Sequence, residues 1–302
     1  MKTNKPHAIN SVTELHRILS LPAPEHPLVS VVDLEKVHQI NIEDFTSVVF
    51  NFYSVWLEKD VTEKIRYGQN YFDFDEGTMI FIAPGQVLSA ANHKISSGIG
   101  LIFHSDFIRN YPLAKTINNY GYFSYAVNEA LHLSEKEEDI INSIMQNISN
   151  EYRTNIDKYS QDLIVSHIEV LLNYANRFYG RQFITRKAAN HDLLTRMEQL
   201  LNLYFDKKES LNKGLPTVDY LASELNLSPR YLSDMLRSLT GQNGQQHIHE
   251  KLVEKAKEYL TTTNLSIAEI AYQLGFEHSQ SFNKLFKKKT TLTPLEFRQS
   301  FN

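Results

Sequence analysis

Val218-Asp-Tyr-Leu-Ala-Ser-Glu-Leu-Asn-Leu-Ser-Pro-Arg-Tyr-Leu-Ser-Asp-Met-Leu236 and Ile267-Ala-Glu-Ile-Ala-Tyr-Gln-Leu-Gly-Phe-Glu-His-Ser-Gln-Ser-Phe-Asn-Lys-Leu-Phe286 are one pattern written twice in a chain of 302 residues. In each copy an amphipathic helix carries its apolar residues at helical spacing: Val218, Leu221, Ala222 and Leu225, then Ile267, Ile270, Ala271 and Leu274. Each helix ends at a residue that tolerates a left-handed backbone, Asn226 or Gly275. An apolar plug follows (Leu227, Phe276), then a polar residue able to cap a new helix. Ala222 and Ala271 stand where two steeply crossing helices leave little room for a side chain. Helices joined in this way form a helix-turn-helix, the unit that presents its second helix to a DNA major groove.

The two turns differ. Ser228 is expected to cap the first recognition helix, with Pro229 in its first position, where a missing N–H costs nothing. The pairs Leu232/Leu236 and Phe282/Phe286 align at a separation of 50, but Ala222 and Ala271 align at 49. The second turn is therefore one residue longer, and Ser279 is its expected cap. One such helix pair is common in helical proteins that never touch DNA. Two on one short segment, each with a polar second helix, point to DNA. Between them, Ile248, Leu252, Ala256 and Leu260 recur at every fourth position. Residues 245–260 thus read as a helix of about sixteen residues, roughly 24 Å long. It can space two recognition helices about one DNA turn, ~34 Å, apart.

The segment 193–301 resembles the DNA-binding domain of the AraC/XylS family of transcription regulators. The specific stretches are Ala256-Lys-Glu-Tyr-Leu260, Leu265-Ser-Ile-Ala-Glu-Ile-Ala-Tyr-Gln-Leu-Gly-Phe276, Ser281-Phe-Asn-Lys-Leu-Phe-Lys-Lys-Lys289 and Thr293-Pro-Leu-Glu-Phe-Arg298. The first repeat is the looser one. The resemblance implies that Arg230, Ser233 and Asp234 in the first recognition helix reach base edges, and Ser279, Gln280, Asn283 and Lys284 in the second. Arg230 can fork onto guanine, and Gln280 or Asn283 can pair bidentately with adenine. Asp234 departs from the family's usual basic or amide residue; it either accepts from a cytosine amine or touches no base. Lys284, Lys287, Lys288 and Lys289 form a basic run that ends a recognition helix, where phosphates would lie.

Charge supports a local rather than a global positive field. Residues 192–302 carry 14 Lys+Arg and 13 Asp+Glu, a net of +1, and the rest a net of −5, making the −4 of the whole chain. From Ser279 onward there are five bases against one acid. That suits a site-specific regulator better than a DNA-packaging protein. A chain of this length exceeds one comfortable core. No charged leader with an apolar run and no membrane-length apolar stretch are read, so a cytoplasmic location is expected. The absence of cysteine excludes disulfides, thiol redox sensing, zinc fingers and the thiol alkyl-acceptor chemistry of some relatives of this family.

The front half changes period. Ser11-Val-Thr-Glu14 is a capping box opening a short helix, followed by a hinge with Pro22, Pro24 and Pro27. Val29-Ser-Val-Val32, Val48-Val-Phe-Asn-Phe-Tyr-Ser-Val-Trp-Leu57, Thr78-Met-Ile-Phe-Ile-Ala83 and Gly100-Leu-Ile-Phe103 read as strands, punctuated by Asp75-Glu-Gly77 and Pro84-Gly85. Short strands at this spacing indicate a small barrel or jelly roll over residues 28–105. Phe74-Asp-Glu-Gly-Thr-Met-Ile-Phe-Ile-Ala-Pro-Gly-Gln86 resembles the cupin-like sensor domains attached to this family. Its aromatics (Phe50, Phe52, Tyr53, Trp56, Tyr67, Tyr71, Phe72, Phe74) could line an effector pocket, or half of them could be plain core. The identity and existence of an effector stay open. A metal-dependent cupin enzyme is the alternative, but it needs a His-x-His in the barrel, and there His93 and His104 stand alone. His247 and His249 lie on the spacer helix, where i and i+2 diverge. No metal or cofactor is expected.

Residues 134–180 read as helical, with a capping box at Ser134-Glu-Lys-Glu137 and Ile140, Ile141, Ile144, Met145 and Ile148 on one face. A helix over 158–179 is apolar on more than one side; Leu163, Val170, Leu171 and Tyr174 suggest that it meets a second subunit. The expected organisation is α+β in two domains. A cupin-like effector and dimerisation domain spans 1–180, a basic linker 181–191, and the DNA-binding domain 192–302, with helix-turn-helix motifs at 218–239 and 267–289. The resemblance implies a sequence-specific, non-enzymatic transcription regulator, by family habit an activator responsive to a small-molecule effector. Its partners would be double-stranded DNA, a second copy and RNA polymerase.

Overall fold

A computed structural model describes residues 6–37, 47–59, 66–67, 70–71, 77–89, 97–153 and 157–301. It divides into two units, Met1–Gln182 and Phe183–Asn302.

In the first unit the β-branched and aromatic runs form strands: β1 (His7–Ile9), then helix α1 (Val12–Ile18), β2 (Val29–Asp33), β3 (Ser47–Phe50), β4 (Tyr53–Glu58), β5 (Arg66–Tyr67), β6 (Asn70–Tyr71), β7 (Thr78–Ile82), β8 (Val87–Ser89) and β9 (Gly98–Phe103). Short helices α2 (Ser105–Ile108) and α3 (Leu113–Thr116), strand β10 (Leu131–His132) and long helices α4 (Glu135–Arg153) and α5 (Ser160–Thr185) follow. The larger sheet has the order β10-β7-β4-β9-β2, and a three-stranded sheet has the order β1-β3-β8. A two-stranded sheet pairs β5 with β6, and none of the three sheets closes into a barrel among the described residues. The single strand expected over 48–57 breaks at Asn51–Phe52, and its halves join different sheets. Gly85 N–H donates to the Phe50 carbonyl and Asn51 N–H to that of Ile9, which pins the crossing.

Strand alternation gives the larger sheet two buried faces. Val32, Ile82 and Ile102 share one apolar cluster with Val48 and Phe50 of the smaller sheet and Val12, Leu15 and Ile18 of α1. Trp56 lies on this face against Gly100, where a β-carbon would fall 2.2 Å from the indole ring. On the opposite face, Phe81 packs 4.3 Å from Tyr122, centroid to centroid, and Tyr53 stacks on Phe103. Tyr152 of α4 fastens that helix to β2 through the Val31 N–H at 2.9 Å.

The second unit is helical: α6 (Lys187–Asp206), α7 (Ser210–Lys213), α8 (Val218–Leu225), α9 (Pro229–Thr240), α10 (Gly244–Thr262), α11 (Ile267–Gln273), α12 (Ser279–Thr290) and α13 (Pro294–Gln299). Residues 181–191, expected to be a linker, are helical except at a break near Arg186. No proline or glycine follows Gly180 there to stop a helix. Arg181 belongs to the first unit, donating to the His132 carbonyl at 2.7 Å and pairing with Glu137 at 2.5 Å. No helix of the described residues is long and apolar enough to cross a membrane.

Candidate nucleic-acid interface

The two helix-turn-helix motifs are built by the same backbone bonds. In the first, Thr217 caps α8 by accepting from Tyr220 N–H, and Asn226 takes the left-handed conformation at φ 57°. The turned chain then sends Leu227 N–H back to the Ala222 carbonyl at 2.9 Å. In the second, Ser266 and Glu269 form a reciprocal capping box, and Gly275 sits at φ 91°. Phe276 N–H bonds the Ala271 carbonyl, again at 2.9 Å. Both alanines are fully buried, as are Leu232, Leu236 and Phe286, with Phe282 nearly so. These side chains lock each second helix to its first.

The turns differ by the one residue that the count predicts. Ser228 caps α9, its hydroxyl accepting from Tyr231 N–H at 3.2 Å. The second cap is not Ser279, which is already the first residue of α12. His278 holds the extended capping position, at φ −131°, and makes no side-chain bond to the first turn. Glu277 is the inserted residue, and it moves the start of the helix by one place relative to the serine.

On α9, Arg230, Ser233 and Asp234 share one face, but they are not equivalent. Arg230 Nε donates to Asp234 Oδ2 at 2.9 Å, and Arg237 Nη1 donates to Asp234 Oδ1 at 3.2 Å. Arg237 was not singled out by the sequence reading. Its signal is the spacing: three residues beyond Asp234 and seven beyond Arg230 lies the same helix face. Ser233 is half-buried, close to where Gly244 starts α10. On α12, Gln280, Asn283, Lys284, Lys287 and Lys288 are exposed and Ser279 is half-buried. Lys289 is drawn to Glu250 of α10, at 3.7 Å.

Electrostatics register the lysine run. Burial, and then the charges of Lys289 and Lys288, hold the His249 imidazole below its usual range. Hydrogen bonds from the Thr293 backbone and hydroxyl hold Glu296 below the usual carboxylate range, with Lys287 adding a little. The spacer helix α10 has 19 residues, about 28 Å at the standard rise, and packs against α8, α9, α11, α12 and α13.

The remaining sequence candidates fall elsewhere. His247 Nε2 contacts Thr240 Oγ1 and His249 Nε2 contacts Gln245, each at 2.9 Å, on different sides of α10. His104 caps α2, accepting from Asp106 N–H. Phe50 and Phe52 are buried in the core between the sheets, and Tyr53 points to the opposite face. His93, Phe72 and Phe74, and the side chains of Tyr67 and Tyr71, lie outside the described residues.

Residues 221–300 match a family model described as a helix-turn-helix domain. YfiF of Bacillus subtilis (strain 168), an uncharacterized HTH-type transcriptional regulator, is 32% identical over 142 residues, covering 47% of this chain and 42% of YfiF. AdaA of the same strain, a bifunctional transcriptional activator/DNA repair enzyme, is 35% identical over 100 residues, 33% of this chain and 46% of AdaA. The C-terminal domain of the two-component response regulator yesN from Fusobacterium nucleatum is 34% identical, covering 33% of this chain and 96% of that domain, with a TM-score of 0.29. The chain spans less than half the length of either curated relative.

Proposed function

We propose, from a C-terminal domain that belongs to the AraC/XylS family of helix-turn-helix transcription regulators, that this chain reads one duplex site with α9 and α12 in successive major grooves. The observation that carries the reading is the repeated turn: matching 2.9 Å bonds close both motifs, and each presents a polar second helix. Arg230, Gln280 and Asn283 read bases; Lys284, Lys287 and Lys288 hold phosphates, which fix register without carrying sequence. Ser233 and Ser279, half-buried, contribute at most the hydroxyl edge they expose.

The first unit acts as a cupin-like sensor for a small-molecule effector. It also pairs two copies of the chain through α5, so that an activator engages RNA polymerase from a doubled site in the cytoplasm. Two facing sheets with a shared core and the exposed apolar residues of α5 support this part. The test is selection of bound duplexes from a randomised pool by the full chain, followed by footprinting on the DNA upstream of its own gene. Paired protected blocks about one helical turn apart are expected. Uniform protection of any duplex would overturn the reading.

A further inference from the structure

We infer that Asp234 is a positioning residue that locks Arg230 into the geometry for reading guanine, so that the pair sets the base preference of the first recognition helix. The inference rests on α9 facing a major groove. A carboxylate on that face would be repelled by phosphate if it stood alone. It does not stand alone: Arg230 reaches it from one turn before and Arg237 from one turn after. The Asp234 side chain is 17% exposed, against 46% for Arg230 and 55% for Arg237. The negative charge is therefore recessed between two positive ends that project past it, and the trio carries a net +1.

The geometry of the tie decides what Arg230 can still do. A guanidinium holds five N–H donors in one plane. With Nε–H given to Oδ2 at 2.9 Å, the end-on pair of N–H groups from Nη1 and Nη2 stays available. Those two parallel donors match O6 and N7 of guanine. Adenine presents an amino donor in place of O6 and is turned away. The tie also removes rotamer freedom before DNA arrives, so less is lost on contact. Both carboxylate oxygens already accept from arginines, so a cytosine amine would have to share an acceptor with one of them. An i,i+4 pair that served only to stabilise the helix would leave base preference untouched.

The experiment uses the full chain and duplexes it selects from a randomised pool. The position under α9 is identified as the one whose preference Arg230→Ala abolishes. Affinities are then compared with guanine, 7-deazaguanine or adenine at that position. The wild-type chain should lose about tenfold on either replacement. Asp234→Ala should keep or raise its affinity for random duplex, having lost a negative charge, while its guanine-over-adenine ratio falls about fivefold or more. Asp234→Asn, which keeps one acceptor oxygen and the shape of the side chain, should fall between and guards against a folding defect. Adding Asp234→Ala to Arg230→Ala should change the ratio no further. An Asp234→Ala or Asp234→Asn chain with wild-type discrimination, whatever its melting temperature, overturns the inference. Should Arg230→Ala and Gln280→Ala both leave cognate-over-random preference intact, the groove assignment fails first and the inference with it.

Discussion

A β-carbon on Gly275 would stand 2.6 Å from both the carbonyl carbon and the carbonyl oxygen of Gly214. The second turn is thus closed by a neighbouring loop as well as by its own left-handed residue. Tyr204 Oη donates to that Gly214 carbonyl at 3.1 Å, and Ser210 Oγ donates to the Gln273 carbonyl at 2.6 Å. Tyr204 of α6 thus ties down the loop after α7, and Ser210, at the start of α7, ties that helix to the end of α11.

Gly275→Ala should therefore cost more than Asn226→Ala, although the two sites are equivalent in the motif. Asn226 already carries a side chain at φ 57°, so alanine adds only left-handed strain of about 1–2 kcal/mol. Gly275→Ala incurs strain of about 1–3 kcal/mol and must also push back the Gly214 backbone. Urea unfolding of the full chain followed by circular dichroism reads both variants. Equal losses would mean that the Gly214 contact is not maintained in solution.

Base readers and phosphate holders should separate in DNA binding. Arg230→Ala and Gln280→Ala are each expected to cost about 1–3 kcal/mol at a selected site and to relax preference at particular base pairs. Lys288→Ala should weaken every duplex alike and reduce the slope of log affinity against log salt by about one. Titrations at several salt concentrations distinguish these patterns. Unchanged discrimination in both the arginine and the glutamine variant would remove these helices from the grooves.

The two helix-turn-helix motifs and the helix between them were legible because their signals are local. Caps, a left-handed residue and i+3/i+4 apolar spacing lie within a few residues of each other, and α8, α9 and α11 begin or end where they indicate. The Asp234 clamp is legible too: Arg230, Asp234 and Arg237 fall at i, i+4 and i+7, on one face of the helix. The cap of α12 was missed because a count shows that one residue is extra but not where it sits. The front half depended on non-local pairing. β1, β8 and β10 have two or three residues each, too few to show a period. Nothing in the apolar run 48–57 states that Asn51 and Phe52 carry the chain from one sheet to the other.

Arg298 should prove structural rather than DNA-contacting. Its Nε donates to the Leu260 carbonyl at 3.2 Å and its Nη2 to that of Leu265 at 2.7 Å, closing the end of α10 onto the approach to α11. Arg298→Ala leaves two carbonyls without these donors, which costs about 1–3 kcal/mol. Lysine lacks the rigid planar donor pair that meets both carbonyls, so Arg298→Lys should rescue little. Chemical unfolding checks the loss. If the salt slope of DNA binding fell by about one while stability stayed unchanged, Arg298 would be a phosphate contact instead.

Acid should weaken the second unit through its spacer helix. Burial is the leading cause that holds His247 and His249 below the usual histidine range. The fold therefore favours both neutral imidazoles, while the unfolded chain takes up protons near pH 6.5. Their contribution is complete above that value and is lost as pH falls through the folded values. Melting temperature should drop between about pH 7.5 and 5.5, and less steeply in a His247→Gln/His249→Gln chain. A double variant with the same pH dependence as the wild type would assign the acid loss to other groups.

The assembly prediction turns on two exposed side chains of α5. Leu163 is 46% exposed and Val170 42%, seven residues apart and so on one stripe of the helix. Leu171 is fully buried within its own unit and Tyr174 half-buried, so the free stripe is narrower than the sequence suggested. Leu163 and Val170 expose apolar surface that a second copy of α5 would cover. Pairing there would also join two DNA-binding units and raise affinity through effective concentration. Leu163→Asp/Val170→Asp should therefore shift the full chain from dimer to monomer in sedimentation and shorten its footprint. The far-UV spectrum should not change, because neither residue is in the core. Affinity for a single half-site should persist, since α9 and α12 are untouched. A wild-type chain that sediments as a monomer at tens of micromolar would move the contact off α5.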